Sequence, residues 1–147
     1  MDSIFIENRF ADNPFSFEHL TISSFLQNIQ APVRSTRQAI ESRQGDDIRD
    51  TIITFTWDSS RVSFIRSPYL KNALMDYAEI RDTNILFRNG VRTGMPLDEI
   101  CWRIPDLPQH LRHIYFIELH YGDGTNYVRL YFKNDVLQVL LFLPYTG

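Results

Sequence analysis

Residues 113–144 read HIYFIELHYGDGTNYVRLYFKNDVLQVLLFLP, and the alternation in this stretch decides the fold. With Gly122 to Thr125 as a four-residue turn, Leu119 faces Val128, Ile117 faces Leu130 and Tyr115 faces Phe132, an apolar set. The other side pairs His120 with Tyr127, Glu118 with Arg129 and Phe116 with Tyr131, so opposite charges meet. A turn at Asn134-Asp135 continues the pattern, with Leu137, Val139 and Leu141 joining the apolar face through Phe132, Leu130 and Val128. A one-residue slip would bury Arg129 and Glu118, so the register is strongly specified.

An apolar sheet face must be covered, and the chain offers two amphipathic stripes to cover it. Ile22, Phe25, Leu26 and Ile29 fall at i, i+3, i+4 and i+7, with Thr21 placed as N-cap and Pro32 ending the segment. Leu97, Ile100, Cys101 and Ile104 repeat that spacing between Pro96 and Pro105. Each stripe is followed by β-rich sequence: Thr51 to Trp57 and Arg61 to Ile65 after the first, His113 to Tyr121 and Tyr127 to Phe142 after the second. Asn72 to Phe87 supplies a further strand, with Asp82-Thr83-Asn84 as a bend. The expected fold is therefore α+β: one domain over 1–147, a two-layer sandwich of helices on an antiparallel sheet. A duplicated helix plus β-meander unit gives it halves at 15–87 and 88–147. The polar segment from Arg34 to Asp50, with Arg37, Arg43 and Arg49, breaks the symmetry and reads as a solvated loop or a short helix around Ala39 and Ile40.

Composition narrows the function classes. A 147-residue chain is long enough for one core without staples, and 14% aromatic residues favour packed sheet faces. A net charge of −3 argues against nucleic acid as a partner. One cysteine, Cys101, rules out an intrachain disulfide framework and any zinc cluster of several thiolates. No apolar run approaches the roughly 20 residues of a membrane-spanning helix. Compartment stays open: periplasmic or otherwise extracytoplasmic if an export signal was removed, cytoplasmic otherwise.

Catalytic and metal-ligating patterns do not assemble. His110 and His113 have a helical ligand spacing, but Pro105 and Pro108 precede them and a strand follows, so no metal site is expected. Cys101 sits in an apolar stripe, where packing is the expected role. Asp98 and Glu99 open a helix and complement its dipole, and Asp46 and Asp47 lie in polar sequence. Gly90, Gly94, Gly122 and Gly124 read as turns rather than a phosphate loop. No cofactor is expected.

What remains is the outer face of the meander, carrying Phe116, Tyr127, Arg129, Tyr131, Gln138, Leu140 and Phe142. Tyr and Arg combine contact area with directional hydrogen bonding and anchor protein interfaces, so these residues are the candidate binding set and the expected partner is another protein. A strand pair, a loop or the N-terminal segment Ile4 to Phe17 could cover the same face instead.

The stretch Ile85 to Ile100, ILFRNGVRTGMPLDEI, followed by Tyr127 to Phe142 with its LYFKNDVL core, resembles the β-lactamase-inhibitor-protein-like fold. That fold is shared with the small lipoprotein of the outer-membrane β-barrel assembly machine. In it a strand leads to a Gly-Met turn, a helix and a β-meander. The first half of this chain has no Gly-Met before Thr21, and Cys101 alone cannot reproduce the inhibitor's disulfides. The resemblance implies a non-catalytic, often extracytoplasmic protein that binds another protein through its sheet face, inhibitor-, immunity- or envelope-assembly-like. The competing expectation is a small-ligand-binding or enzymatic domain of the cone-shaped ketosteroid-isomerase-like type, with Glu118, His120 or Asp76 in a deep pocket.

Overall fold

The computed structural model describes residues 2–41, 49–122 and 126–144. Its centre is one eight-stranded sheet: β1 (Asp2–Glu7), β2 (Arg34–Glu41), β3 (Arg49–Trp57), β4 (Ser60–Arg66), β5 (Leu74–Ile80), β6 (Ile114–Tyr121), β7 (Asn126–Lys133) and β8 (Val136–Leu143). The spatial order is β1-β6-β7-β8-β5-β4-β3-β2, antiparallel throughout except that β1 runs parallel to β6. Two meanders therefore meet at β5 and β8, where Ala78 pairs with Phe142 and Ile80 with Leu140.

From Phe116 to His120 the β6–β7 register is the one the sequence predicts. Tyr115, expected opposite Phe132 on the apolar face, is instead 48% exposed on the side of Phe116 and Tyr131, because the β1–β6 pairing skips it and Ile114 takes the buried position. Phe116 faces Tyr131, Ile117 faces Leu130, Glu118 faces Arg129, Leu119 faces Val128 and His120 faces Tyr127. Residues 123–125, most of the expected turn and including Gly124, lie outside the described residues. At the next turn Asn134 and Asp135 take φ of 52° and 57°, the left-handed pair that a two-residue hairpin needs and that Asn and Asp tolerate. Phe132 then faces Leu137 as expected. Beyond it a bulge passes over Gln138, so that Tyr131 pairs with Val139, Leu130 with Leu140 and Val128 with Phe142. The bulge corrects the faces of β8. Leu140 and Phe142, expected outside, are fully buried, while Val139 and Leu141, expected in the core, turn outward half-buried.

Helix is scarce. α1 (Ile22–Asn28) and α2 (Leu97–Arg103) have seven residues each. Thr21 caps α1, its hydroxyl accepting from Ser24 N at 3.1 Å, and Ile100 and Cys101 of α2 face the core. Most of the layer over the sheet comes from a 3-10 turn at Phe10 and from irregular segments instead, through Phe10, Phe15, Ile85, Phe87, Val91, Met95 and Leu107, all buried. A layer of helices on a duplicated antiparallel sheet is thereby corrected: the described residues form an eight-stranded mixed sheet with two short α-helices. Prolines at 96 and 105 limit α2 to two turns. The four strands β2–β5 face only three in the second meander, with β1 added in parallel.

The Arg34 to Asp50 segment is also corrected. Its first part is β2, paired with β3 from Arg34↔Thr56 to Glu41↔Arg49, rather than a loop or a helix at Ala39 and Ile40. Arg43, Asp46 and Asp47 lie outside the described residues. The bend at Asp82-Thr83-Asn84 is a polar clasp. Asp82 Oδ1 accepts from Ser60 Oγ (2.8 Å) and Trp57 Nε1 (3.2 Å), and Asn84 Nδ2 donates to Asp58 Oδ2 (2.6 Å), tying the β3–β4 hairpin to the chain leaving β5.

Gly94 and Met95 dock on the β7–β8 hairpin. Gly94 N donates to Leu137 O (2.8 Å), Leu137 N to Met95 O (2.9 Å) and Leu97 N to Asp135 O (2.7 Å), which fixes the start of α2 against the sheet. Gly90, at φ +71°, supports the other end. A Cβ there would lie 2.6 Å from Nη1 of Arg103, the side chain that pairs with Glu99 at 3.1 Å. Gly90→Ala is expected to cost about 1–2 kcal/mol, from the left-handed backbone and the displaced guanidinium, measurable by urea denaturation.

Candidate functional site

The side of the sheet away from the core is not covered by a second layer among the described residues. The N-terminal segment, one possible cover, instead extends the sheet edge as β1. Strand pairing sets the side chains of this face in rows. One row runs Phe5, Glu118, Arg129, Leu141, Glu79 and Arg61 across five neighbouring strand pairs. The adjacent row holds Phe116, Tyr131 and Val139.

Arg129 is the hub. Its Nε donates to Glu118 Oε1 at 2.7 Å, its Nη1 donates to Tyr131 Oη at 3.2 Å, and its guanidinium carbon lies 4.8 Å from the centre of the Phe116 ring. The hydrogen bond Arg129 donates to Tyr131, then the one it donates to Glu118, pushes the guanidinium pKa further above its ordinary value, so the charge persists. Glu118, with a side chain only 13% exposed, is neutralised in place. Held on three sides, Arg129 has little rotamer freedom left to lose on binding.

Aromatic rings extend from this hub. Phe116 contacts Phe5 edge-on at 5.6 Å and Tyr131 at 5.7 Å, and Tyr115 lies 5.8 Å from both Phe116 and Tyr131. Phe5 is 61% exposed and Tyr115 48% exposed, so the cluster shows its rings to solvent. Beside it lies an open groove of about 410 Å³ lined by Tyr115, Tyr131, Val139, Leu141, Glu79 and Arg81. Glu79 meets Arg61 at 3.6 Å and Arg81 at 3.3 Å, so the far rim carries one more cation than anion.

Of the residues named from sequence, Phe116, Arg129 and Tyr131 are brought together here. Tyr127 is exposed farther along β7 beside His120, whereas Gln138, exposed at the bulge, lines the groove with Tyr131 and Val139. Leu140 and Phe142 belong to the core and are corrected out of the set, because the bulge at Gln138 reverses their faces. Sequence reasoning missed Phe5, Tyr115, Val139 and Leu141. The short apolar, β-branched run Ile4-Phe5-Ile6 could have revealed a strand there, but without alternation it could not assign Phe5 to the outer face. Trp102, 75% exposed on α2, was also missed, although its place between core-facing Cys101 and Arg103 marks a solvent-side position.

Other candidates disperse. His110 and His113 sit in an exposed loop with left-handed φ of 63° and 59°, not on a helix, and His113 N donates to Asp135 Oδ1. Among the described residues no group of three His, Cys, Asp or Glu side chains is placed to hold a metal. The Cys101 thiol is buried, and burial, with a lesser push from Asp98, raises its pKa away from the reactive thiolate. Glu118 and His120, the polar groups a cone-shaped ligand site would need inside, lie on the open face. Asp76 falls at the bulge in β5. The core side is packed with Phe15, Phe25, Phe64, Phe87 and Phe142. No helix among the described residues is long and apolar enough to cross a membrane.

Comparison with protein-family models, with curated proteins and with solved structures yields no match.

Proposed function

We propose that the chain is a non-catalytic protein-binding module, inhibitor-, immunity- or envelope-assembly-like in kind, which engages another protein through the outer face of β1, β6, β7 and β8. The observation that carries this reading is the exposed cluster of Phe5, Tyr115, Phe116 and Tyr131 around a pre-ordered Arg129. Aromatic rings supply apolar contact at low entropic cost, and a clamped guanidinium offers directional bonds from a fixed position. These are the properties of interface anchors. The resemblance of Ile85–Ile100 and Tyr127–Phe142 to the β-lactamase-inhibitor-protein-like fold carries the same implication.

The test is an affinity capture with the intact chain, compared with Tyr131→Ala and with Arg129→Ala/Tyr131→Ala. Loss of about 2–4 kcal/mol per anchor weakens binding by roughly 30- to 1,000-fold, enough to empty the capture. Gln38→Ala on β2 should leave it intact. Because Arg129→Ala strands the carboxylate of Glu118, thermal melting of each variant accompanies the capture. Undiminished capture by a folded double variant refutes the assignment.

A further inference from the structure

The sheet ends in two unlike strands. β2 carries Arg34 and Arg37 and is exposed from Arg34 through Ala39, a charged edge of the kind that resists strand pairing. β1 reads Asp-Ser-Ile-Phe-Ile-Glu, three apolar residues in succession with no lysine, arginine or proline. Asp2 N donates to His113 O and Asn8 N to His120 O, so the even-numbered amides point at β6. The backbone groups of Ser3, Phe5 and Glu7 therefore point to the free side, where no strand meets them among the described residues.

We propose that this edge pairs with β1 of a second copy of the chain, antiparallel about a two-fold axis with Phe5 opposite Phe5. A two-fold axis perpendicular to the sheet keeps each side chain on its own face, so a residue can meet only residues of its own parity. Two centres keep most of the strand paired. Centring on Ile4 sets Asp2 against Ile6, a carboxylate on an apolar side chain. Centring on Phe5 sets Ile4 against Ile6 on one face, Phe5 against Phe5 and Ser3 against Glu7 on the other, and Asp2 against Asn8. That register opposes no like charges and buries the isoleucines on each other. Its hydrogen-bonded pairs, Ser3 with Glu7 and Phe5 with Phe5, are the residues whose backbone groups already point outward. The chain of ring contacts from Tyr131 through Phe116 to Phe5 then continues across the axis into its counterpart, giving one aromatic surface shared by two copies. The pairing does not depend on the function proposed above.

The experiment uses the full chain. Cys101 is the single cysteine and is buried, so Phe5→Cys places one accessible thiol at the axis. Sedimentation of the unmodified chain across the micromolar range should show a dimer, and Phe5→Arg should return it to a monomer with an unchanged circular dichroism spectrum. Mild oxidation should link Phe5→Cys into a covalent dimer and leave Gln38→Cys, at the opposite edge, unlinked. A chain that is monomeric throughout, a Phe5→Arg variant that stays dimeric, a Phe5→Cys variant that does not link, or equal linkage at both edges overturns the proposal. None of these readings involves a partner protein, so failure here and failure of the capture experiment are separate outcomes.

Discussion

Replacing Phe15 with Ala is expected to destabilise the protein by about 3–5 kcal/mol, the range for deleting a buried aromatic ring that its surroundings cannot replace. Phe15 is 1% exposed and belongs to neither a helix nor a strand of the main sheet. It is held by a single bridge to Phe87 and by its own amide, which donates to Asn13 Oδ1 at 2.9 Å. Its ring meets Phe25 at 4.8 Å, Phe17 at 5.4 Å, and Phe87 and Phe142 at 6.0 Å, joining α1, two irregular segments and the sheet at one point. Five rings converging at one place cannot all shift inward, so a cavity persists and the surrounding edge-to-face contacts are lost with it. For a domain of this size the loss corresponds to a fall in Tm of roughly 6–20 °C. Leu86→Ala, at a side chain 61% exposed in a neighbouring stretch, should fall within about 0.5 kcal/mol of the parent. Urea denaturation of the three proteins checks the order; equal losses at Phe15 and Leu86 would contradict the packing described.

How far each element could be read from sequence follows from how its two faces differ. β6 and β7 were legible because their faces are chemically opposed: Ile117, Leu119, Val128 and Leu130 on one, Glu118 and Arg129 on the other. Any slip puts a charge in the core. The helices were legible from spacing, but spacing says nothing of how much of the sheet seven residues can cover. Phe15, Phe87 and Met95, buried in irregular segments, carry no periodicity to announce them. β2 was misread for the converse reason: Arg-Ser-Thr-Arg-Gln-Ala is exposed on both faces, so no alternation marks it, and backbone pairing to β3 alone defines it. β1 pairs in parallel with a strand more than a hundred residues away, a partnership that no local pattern specifies. Half of the candidate site followed from β6 and β7. The remainder depended on β1 and on the register of β8.

The register of β8 is the hardest to read, because Val139 to Leu143 is apolar at every position and periodicity cannot choose between its faces. An unbroken two-residue alternation from Leu137 puts Val139 and Leu141 in the core. The bulge at Gln138 puts Leu140 and Phe142 there instead. Leu140, between Leu130 and Ile80, has no exposed surface; Leu141, between Arg129 and Glu79, is half-buried on the open face. Leu140→Asp therefore removes a core side chain and leaves a carboxylate with no partner, a change expected to cost about 4 kcal/mol or more. Against a total stability of about 5–15 kcal/mol, that is enough to bring the chain near or below the folding threshold. Leu141→Asp places its charge beside both Arg129 and Glu79, where attraction and repulsion offset and water reaches the group. Its cost should stay near 1 kcal/mol. Soluble yield and urea midpoints of the two variants, which differ by one position, distinguish the registers: an uninterrupted strand requires Leu141→Asp to be the more damaging, and the bulged strand requires Leu140→Asp. The same comparison bears on the outer face, since only the bulged register sets Val139 and Leu141 beside Tyr131 and Arg129.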